Sequence, residues 1–133
     1  MNGSDAFDMW GVVAGAMLAV LAVVAFLPAV DGTWLGDDGH LVLENECADE
    51  LSDIPDILTF QSGRCNYRPL RNVSYAIDFA MWGEDPTGFH ITNLVIHVLA
   101  TLLVFGILRR LGLGRFAAWL GAACFAVHPV QAD

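Results

Sequence analysis

Met9 to Val30 runs for 22 positions without a charged residue. As a helix this segment rises about 33 Å, enough to cross a hydrocarbon core of roughly 30 Å. It predicts a first transmembrane helix over 9–30 behind an N-terminal tail, 1–8. A cleaved signal peptide would carry basic residues ahead of the apolar run, and Asp5 and Asp8 stand there instead. The run is also too long for one, and no clear Ala-x-Ala site precedes Asp31. Apolar residues resume to predict a second span over 89–108 and a third, shorter one over 116–130, where Pro129 ends or bends the helix.

Between the first two spans lie 58 mostly polar residues, Asp31 to Gly88. Within them Val73, Ala76, Ile77, Ala80 and Met81 recur at three- and four-residue steps, while Asn72 and Asp78 fall off that stripe. An amphipathic helix over about 68–82 is expected, lying at the membrane interface, with Asn66 as its cap and Pro69 in the first turn, where backbone N–H groups lack partners anyway. Trp82 suits the interfacial end, and the run Gly83-Glu84-Asp85-Pro86-Thr87-Gly88 breaks the helix ahead of the second span. The fold class is therefore an all-α membrane protein: three transmembrane helices plus an interfacial amphipathic helix in a long external loop.

Composition sharpens this class. Hydrophobic residues make up 56% of 133 positions and the mean hydropathy is +0.54, above the apolar share of a soluble domain. All six basic residues are arginines, and Arg109, Arg110 and Arg115 share the short turn 109–115. Positive residues at membrane ends mark the cytoplasmic side, so this turn is expected inside, the loop 31–88 extracytoplasmic, and 131–133 the start of a second external loop. An integral protein of a prokaryotic plasma membrane is the expected setting. A soluble enzyme is excluded by the spans.

Twelve of the fifteen acidic residues fall in the 31–88 loop against three arginines, a balance of −9 that equals the net charge of the chain. Most of these carboxylates read as charge that keeps a loop solvated. A surface this acidic lacks the basic footprint for nucleic acid, so no nucleic-acid partner is expected. Cys47 and Cys65 share the loop and are candidates for a disulfide. Closing a loop of nearly twenty residues, it would be worth on the order of 3 kcal/mol if unstrained. Two free thiols are the equal alternative, and the spacing fits no zinc pattern. Cys124, in the third span, is expected to pack as a small apolar residue.

His90, Asn93 and His97 stand at i, i+3 and i+7, on one face of the second span, with Thr92 and Thr101 to the side. Polar groups at membrane depth are costly unless they face protein or a wet cavity, so interhelical hydrogen bonds are the leading reading and a metal site the lesser one. By the same topology His128 lies on the outer side, with the acidic pair Asp37-Asp38. That pair and the Tyr67-Arg68-Pro69-Leu70 turn, held beside a membrane, point to chemistry on a lipid-borne phosphate.

Asp37-Asp38 with Asn45 downstream, Asn66-Tyr67-Arg68-Pro69-Leu70, the run Gly88-Phe89-His90-Ile91-Thr92-Asn93-Leu94-Val95-Ile96-His97, and Phe125-Ala126-Val127-His128-Pro129-Val130-Gln131-Ala132-Asp133 occur in that order. Together they resemble the N-terminal part of the transmembrane and tetratricopeptide-repeat O-mannosyltransferases, across nearly the whole chain from Trp34 onward. The resemblance implies part of the polytopic GT-C fold. It also implies transfer of a sugar, mannose or another hexose, from a polyprenyl-phosphate carrier to a hydroxyl of a protein or glycan.

By that resemblance Asp37 or Asp38 is the catalytic base, with Asp37 favoured by the order of the family motif. A carboxylate within hydrogen-bond reach can take the proton of the acceptor hydroxyl as the bond forms. Arg68 is the expected partner of the departing phosphate, because a guanidinium offers paired donors, and Tyr67 and His128 join it in holding the carrier. Arg64 and Arg71 could share the task, and a salt bridge to a loop carboxylate is the competing role for Arg68. Asn45, His90, Asn93, His97 and Asp133 are supporting residues; the family usually has Glu where Asp133 stands. No metal ligand set is assigned, and a divalent cation, Mg or Mn, stays open because carboxylates alone do not select an ion.

Three spans cannot enclose such a site. The chain is accordingly expected to be an N-terminal piece of the transferase, inactive alone, with membrane lipid, the lipid-linked sugar donor and the remaining part of the enzyme or another membrane protein as partners. The alternative is a small three-span subunit that binds a partner or cation through its acidic external loop.

Overall fold

The computed structural model describes residues 9–32, 51–59 and 68–129. Every regular element among them is helical: α1 (Met9–Val30), a 3₁₀ turn (Leu51–Asp53), α2 (Ile54–Leu58), α3 (Pro69–Trp82), α4 (Pro86–Arg110) and α5 (Arg115–Ala126). They divide into two compact units, one formed by residues 1–29 and 93–133, the other by residues 30–92. α4 begins in the second and continues into the first.

Among the described residues, α1 and α4 are the two helices long and apolar enough to cross a membrane. Most of both is exposed within the chain, which a core helix of a soluble protein would not be. α5 has 12 residues and spans about 18 Å, short of a bilayer core. It stops at Ala126, because the residue before Pro129 is turned away from helical geometry. Three spans are expected from the sequence; two helices of crossing length are observed.

In the first unit, small residues set the helix approach. Ala14, Leu18 and Ala22 on α1 and Ala118, Ala122 and Ala126 on α5 recur every four residues and are buried. Ala14, Leu18, Ala118 and Ala122 form one core with Phe105 of α4. Small side chains let backbones come close, which supplies dispersion contact where apolar burial provides no drive. The large residues Val13, Met17, Val20, Val24 and Leu103 point outward. Cys124 is exposed as well, contrary to the expectation that it packs, since the buried arc of α5 is filled by Ala118, Ala122, Ala123 and Ala126.

α4 is closed at both ends by recognisable devices. Asp85 accepts the Thr87 backbone N–H at 3.0 Å from the cap position, and Pro86 occupies the first helical position. The helix therefore starts three residues before Phe89, and the break after α3 is only Gly83 to Asp85. At the other end Gly112 has φ 86°, and the Gly112 and Leu113 N–H groups reach the Arg109 and Leu108 carbonyls at 3.2 Å each. This is a Schellman closure, which glycine permits.

In the second unit α2 packs against α3 and anchors itself with buried Ile57. Phe89, at the start of α4, packs edge-on to Phe79 and Tyr75, at centroid distances of 5.5 and 6.2 Å. The cap position of α3 is Arg68, with no side-chain hydrogen bond, not the expected Asn66. Asn72, Ala76 and Asp78 are its buried residues, whereas Leu70, Ile77 and Met81 are exposed. The aliphatic stripe read from the sequence thus faces outward, apart from Ala76 and half-buried Val73. The inner arc carries the half-buried aromatics Tyr75 and Phe79 together with the two polar residues, and Trp82, exposed, continues that series at the helix end.

Candidate functional site

Arg68 ends the chain's approach to α3, and Pro69 fixes the first helical φ. The Arg68 side chain does not cap this end, and its guanidinium stands exposed beside the first turn of α3. The Arg68 carbonyl accepts the Asn72 N–H at 3.0 Å. Arg71 is committed elsewhere: its Nε and Nη2 donate to Asn72 Oδ1 at 3.4 and 3.3 Å, and the guanidinium stacks over Tyr75 at 5.6 Å.

Asp78 is 3% exposed and accepts a 2.7 Å hydrogen bond from the Thr92 hydroxyl. Burial pushes its carboxyl above the usual range, and the Thr92 bond pulls partly back. This pair ties α3 to the start of α4. The sequence reading puts Asp78 and Asn72 off the aliphatic stripe, yet both are buried. The signal for their burial was the second stripe, Tyr75, Phe79 and Trp82, at i, i+4 and i+7.

The polar face of α4 separates into distinct environments. His90 has its Nε2 buried without a hydrogen-bond partner among the described residues, and Asn93 is exposed. His97 Nε2 lies 3.0 Å from the Ala126 carbonyl, so it is the protonated nitrogen that donates. Its ring stands edge-on to Phe26 at 5.0 Å and beside Phe125 at 5.6 Å. Thr101 is fully buried and donates back to the His97 carbonyl at 2.9 Å. The interhelical bond expected of this face is therefore present at His97, where it satisfies a carbonyl that the end of α5 leaves open.

His128 follows α5, exposed, with its backbone N–H 3.4 Å from the Phe125 carbonyl. Asp37, Asp38, Asn45, Cys47, Arg64, Cys65, Tyr67 and Asp133 lie outside the described residues. Among the described residues no three of His, Cys, Asp and Glu come together as a metal set.

Comparison with known proteins adds what this geometry leaves open. The human protein O-mannosyl-transferase TMTC4 is 29% identical over 136 residues, covering 85% of this chain and 18% of its own length. The Drosophila melanogaster protein O-mannosyl-transferases Tmtc1 and Tmtc2 are 28% and 29% identical, covering 86% and 85% of this chain and 14% and 13% of their own lengths. The chain is similar to these protein O-mannosyl-transferases. It spans less than a fifth of the length of these O-mannosyltransferase relatives. No family model matches it. No solved structure matches it either.

Together with the apolar helices α1 and α4, the similarity to these O-mannosyltransferases makes the chain an integral membrane protein. The relatives named are animal proteins and lend no support to a prokaryotic membrane.

Proposed function

We propose that this chain is part of a membrane glycosyltransferase that moves mannose or another hexose from a polyprenyl-phosphate carrier to a hydroxyl of a protein or glycan. The observation that carries the reading is the similarity to protein O-mannosyl-transferases over 85% of the chain. In this reading residues 116–130 complete a third span, the assembly is part of a GT-C fold, and the loop 31–88 is extracytoplasmic. Asp37 or Asp38 takes the acceptor proton while the carrier phosphate departs.

Arg68, with Tyr67 and His128, holds that phosphate. The exposed Arg68 guanidinium at the start of α3 supports the role, because paired donors and helix N–H groups both stabilise developing negative charge. Asn45, His90, Asn93, His97 and Asp133 position these groups. The chain works with the remainder of a transferase, since the described helices alone do not enclose a lipid-linked sugar.

The test is a chimera in which this chain replaces the matching region of a relative, assayed for mannose transfer from polyprenyl-phosphate mannose. Asp37→Asn or Asp38→Asn should lower turnover by about 10²–10⁴-fold with carrier binding kept, as for loss of a general base. Arg68→Lys should weaken both binding and turnover, because a point charge cannot replace a fork of donors. Full activity in both aspartate variants would leave the acidic loop as a binding surface only.

A further inference from the structure

We propose that the three arginines of the turn between α4 and α5, together with Trp10 of α1, form a binding site for the headgroup of an anionic phospholipid. Three helix ends of one unit meet there. Arg115 opens α5 and its guanidinium lies over the Trp10 ring at 5.5 Å. Trp10 in turn packs on Phe105 at 6.2 Å, one helical turn before Arg109. Arg109 donates to the Leu113 carbonyl at 3.2 Å, which holds the turn closed, and Arg110 is exposed.

Two features give this place an appetite for an anion. Residues 9–29 and 93–129, the described part of the unit, contain these three arginines and not one Asp or Glu. The N-terminus of α5 also has no side-chain cap, because its cap residue is Gly114, so first-turn N–H groups add their partial positive charge to that of Arg115.

Two further features select a bilayer lipid over a soluble phosphate. Leu111 and Phe116 flank the arginines and are 70% and 72% exposed, a surface suited to acyl chains and not to water. Trp10 stands at the end of an apolar helix of crossing length, the depth at which tryptophan meets headgroups. Basic residues beside membrane helices attract anionic lipids from the leaflet they face. The site is independent of the transfer chemistry and lies in the unit that carries none of the acidic loop.

Native mass spectrometry of the full chain, released from micelles holding equal amounts of phosphatidylglycerol and phosphatidylcholine, reads the preference directly. Phosphatidylglycerol adducts should exceed phosphatidylcholine adducts by on the order of a hundredfold, and each arginine removed should cost roughly fivefold, so that R109Q/R110Q/R115Q abolishes the preference. R109K/R110K/R115K should keep most of it, and high salt should reduce it in the unaltered chain. Equal binding of the two lipids, a preference that survives the glutamine variant or high salt, or displacement of phosphatidylglycerol by glycerol phosphate at the lipid's concentration would overturn the proposal. The salt arm decides even if the glutamine variant does not fold.

Discussion

In the unit built from α1, α5 and most of α4, the buried positions are mostly alanines, and a side-chain bond from His97 reaches the end of α5. In the unit that holds α3 and the first turns of α4, the buried positions include a carboxylate and an amide, and an aromatic trio fills the space around them. Both units turn large aliphatic side chains outward, but they are held differently. The first is positioned by close approach of small residues, which suits surroundings where burying hydrocarbon yields little. The second is positioned by directional bonds and a steric lock, which suits a segment whose neighbours are polar.

The lock offers the largest expected effect. A Cβ built on Gly88 would fall on the ring and Cβ of Trp82, and the Trp82 Cβ is fixed by its own helix. Gly88→Val should destabilise the second unit by about 3 kcal/mol, the upper end for overpacking. Urea unfolding in detergent, followed by hydrogen exchange of the α3 amides, should show this loss in α3 with α1 and α5 protection kept. Equal loss in both units would erase the contrast between them.

Next comes the directional bond. Thr92→Val deletes the hydroxyl that donates to a buried carboxylate and should cost about 1.5–3 kcal/mol at neutral pH. The sign of the pH dependence follows from the raised Asp78 carboxyl. The folded chain holds this proton more tightly than the unfolded one, so the contribution to stability is greatest below the unfolded carboxylate range. It falls as pH rises toward the folded value. Thr92→Val should steepen that fall, because the bond it removes is the influence that lowers the carboxyl, and Asp78→Asn should flatten it. Exchange rates of the α3 amides measured from acid to neutral pH distinguish these outcomes; a slope unchanged in both variants would mean Asp78 is not the titrating group.

A smaller effect belongs to the first unit. His97→Phe keeps the aromatic contacts with Phe26 and Phe125 but loses the donor to the Ala126 carbonyl. Interhelical bonds of this kind average about 0.6 kcal/mol, so small-residue packing should hold the unit together without it. Protection of the last turn of α5 should fall while that of α1 is unchanged. A loss as large as that of Thr92→Val would show that the two units are not built on different terms.

The sequence made α1 and most of α4 legible because an uninterrupted apolar run has one reading at that length, and the caps of α4 stand in its letters as Asp85-Pro86 and Gly112. The extent of α3 was readable for the same reason, through Pro69 and Gly83. Its orientation was not. Two stripes compete on that helix, one aliphatic and one aromatic with Asp78 and Asn72 among it, and only the partner surface of Phe89 and Thr92 decides between them. Likewise His97 could be placed on a polar face, but its partner is a main-chain carbonyl, which leaves no trace in side-chain identities. The candidate acidic pair was identified through motif order, a signal independent of geometry, and lies outside the described residues.

The smallest folding effect is the most informative about surroundings. Ile77 and Met81 are 43% and 63% exposed on the outer arc of α3, so Ile77→Ser should change stability in detergent by no more than about 0.5 kcal/mol. If that arc rests on lipid, the same change should draw the helix toward water, because the amphipathic face is what holds an interfacial helix down. Nitroxide-labelled lipids report the depth through Trp82, at the C-terminal end of α3, in a chain whose other three tryptophans are replaced by phenylalanine. Quenching should drop in the serine variant. Unchanged quenching would mean that protein, not bilayer, covers Leu70, Ile77 and Met81, and both units would then have to be read as parts of a larger helical assembly.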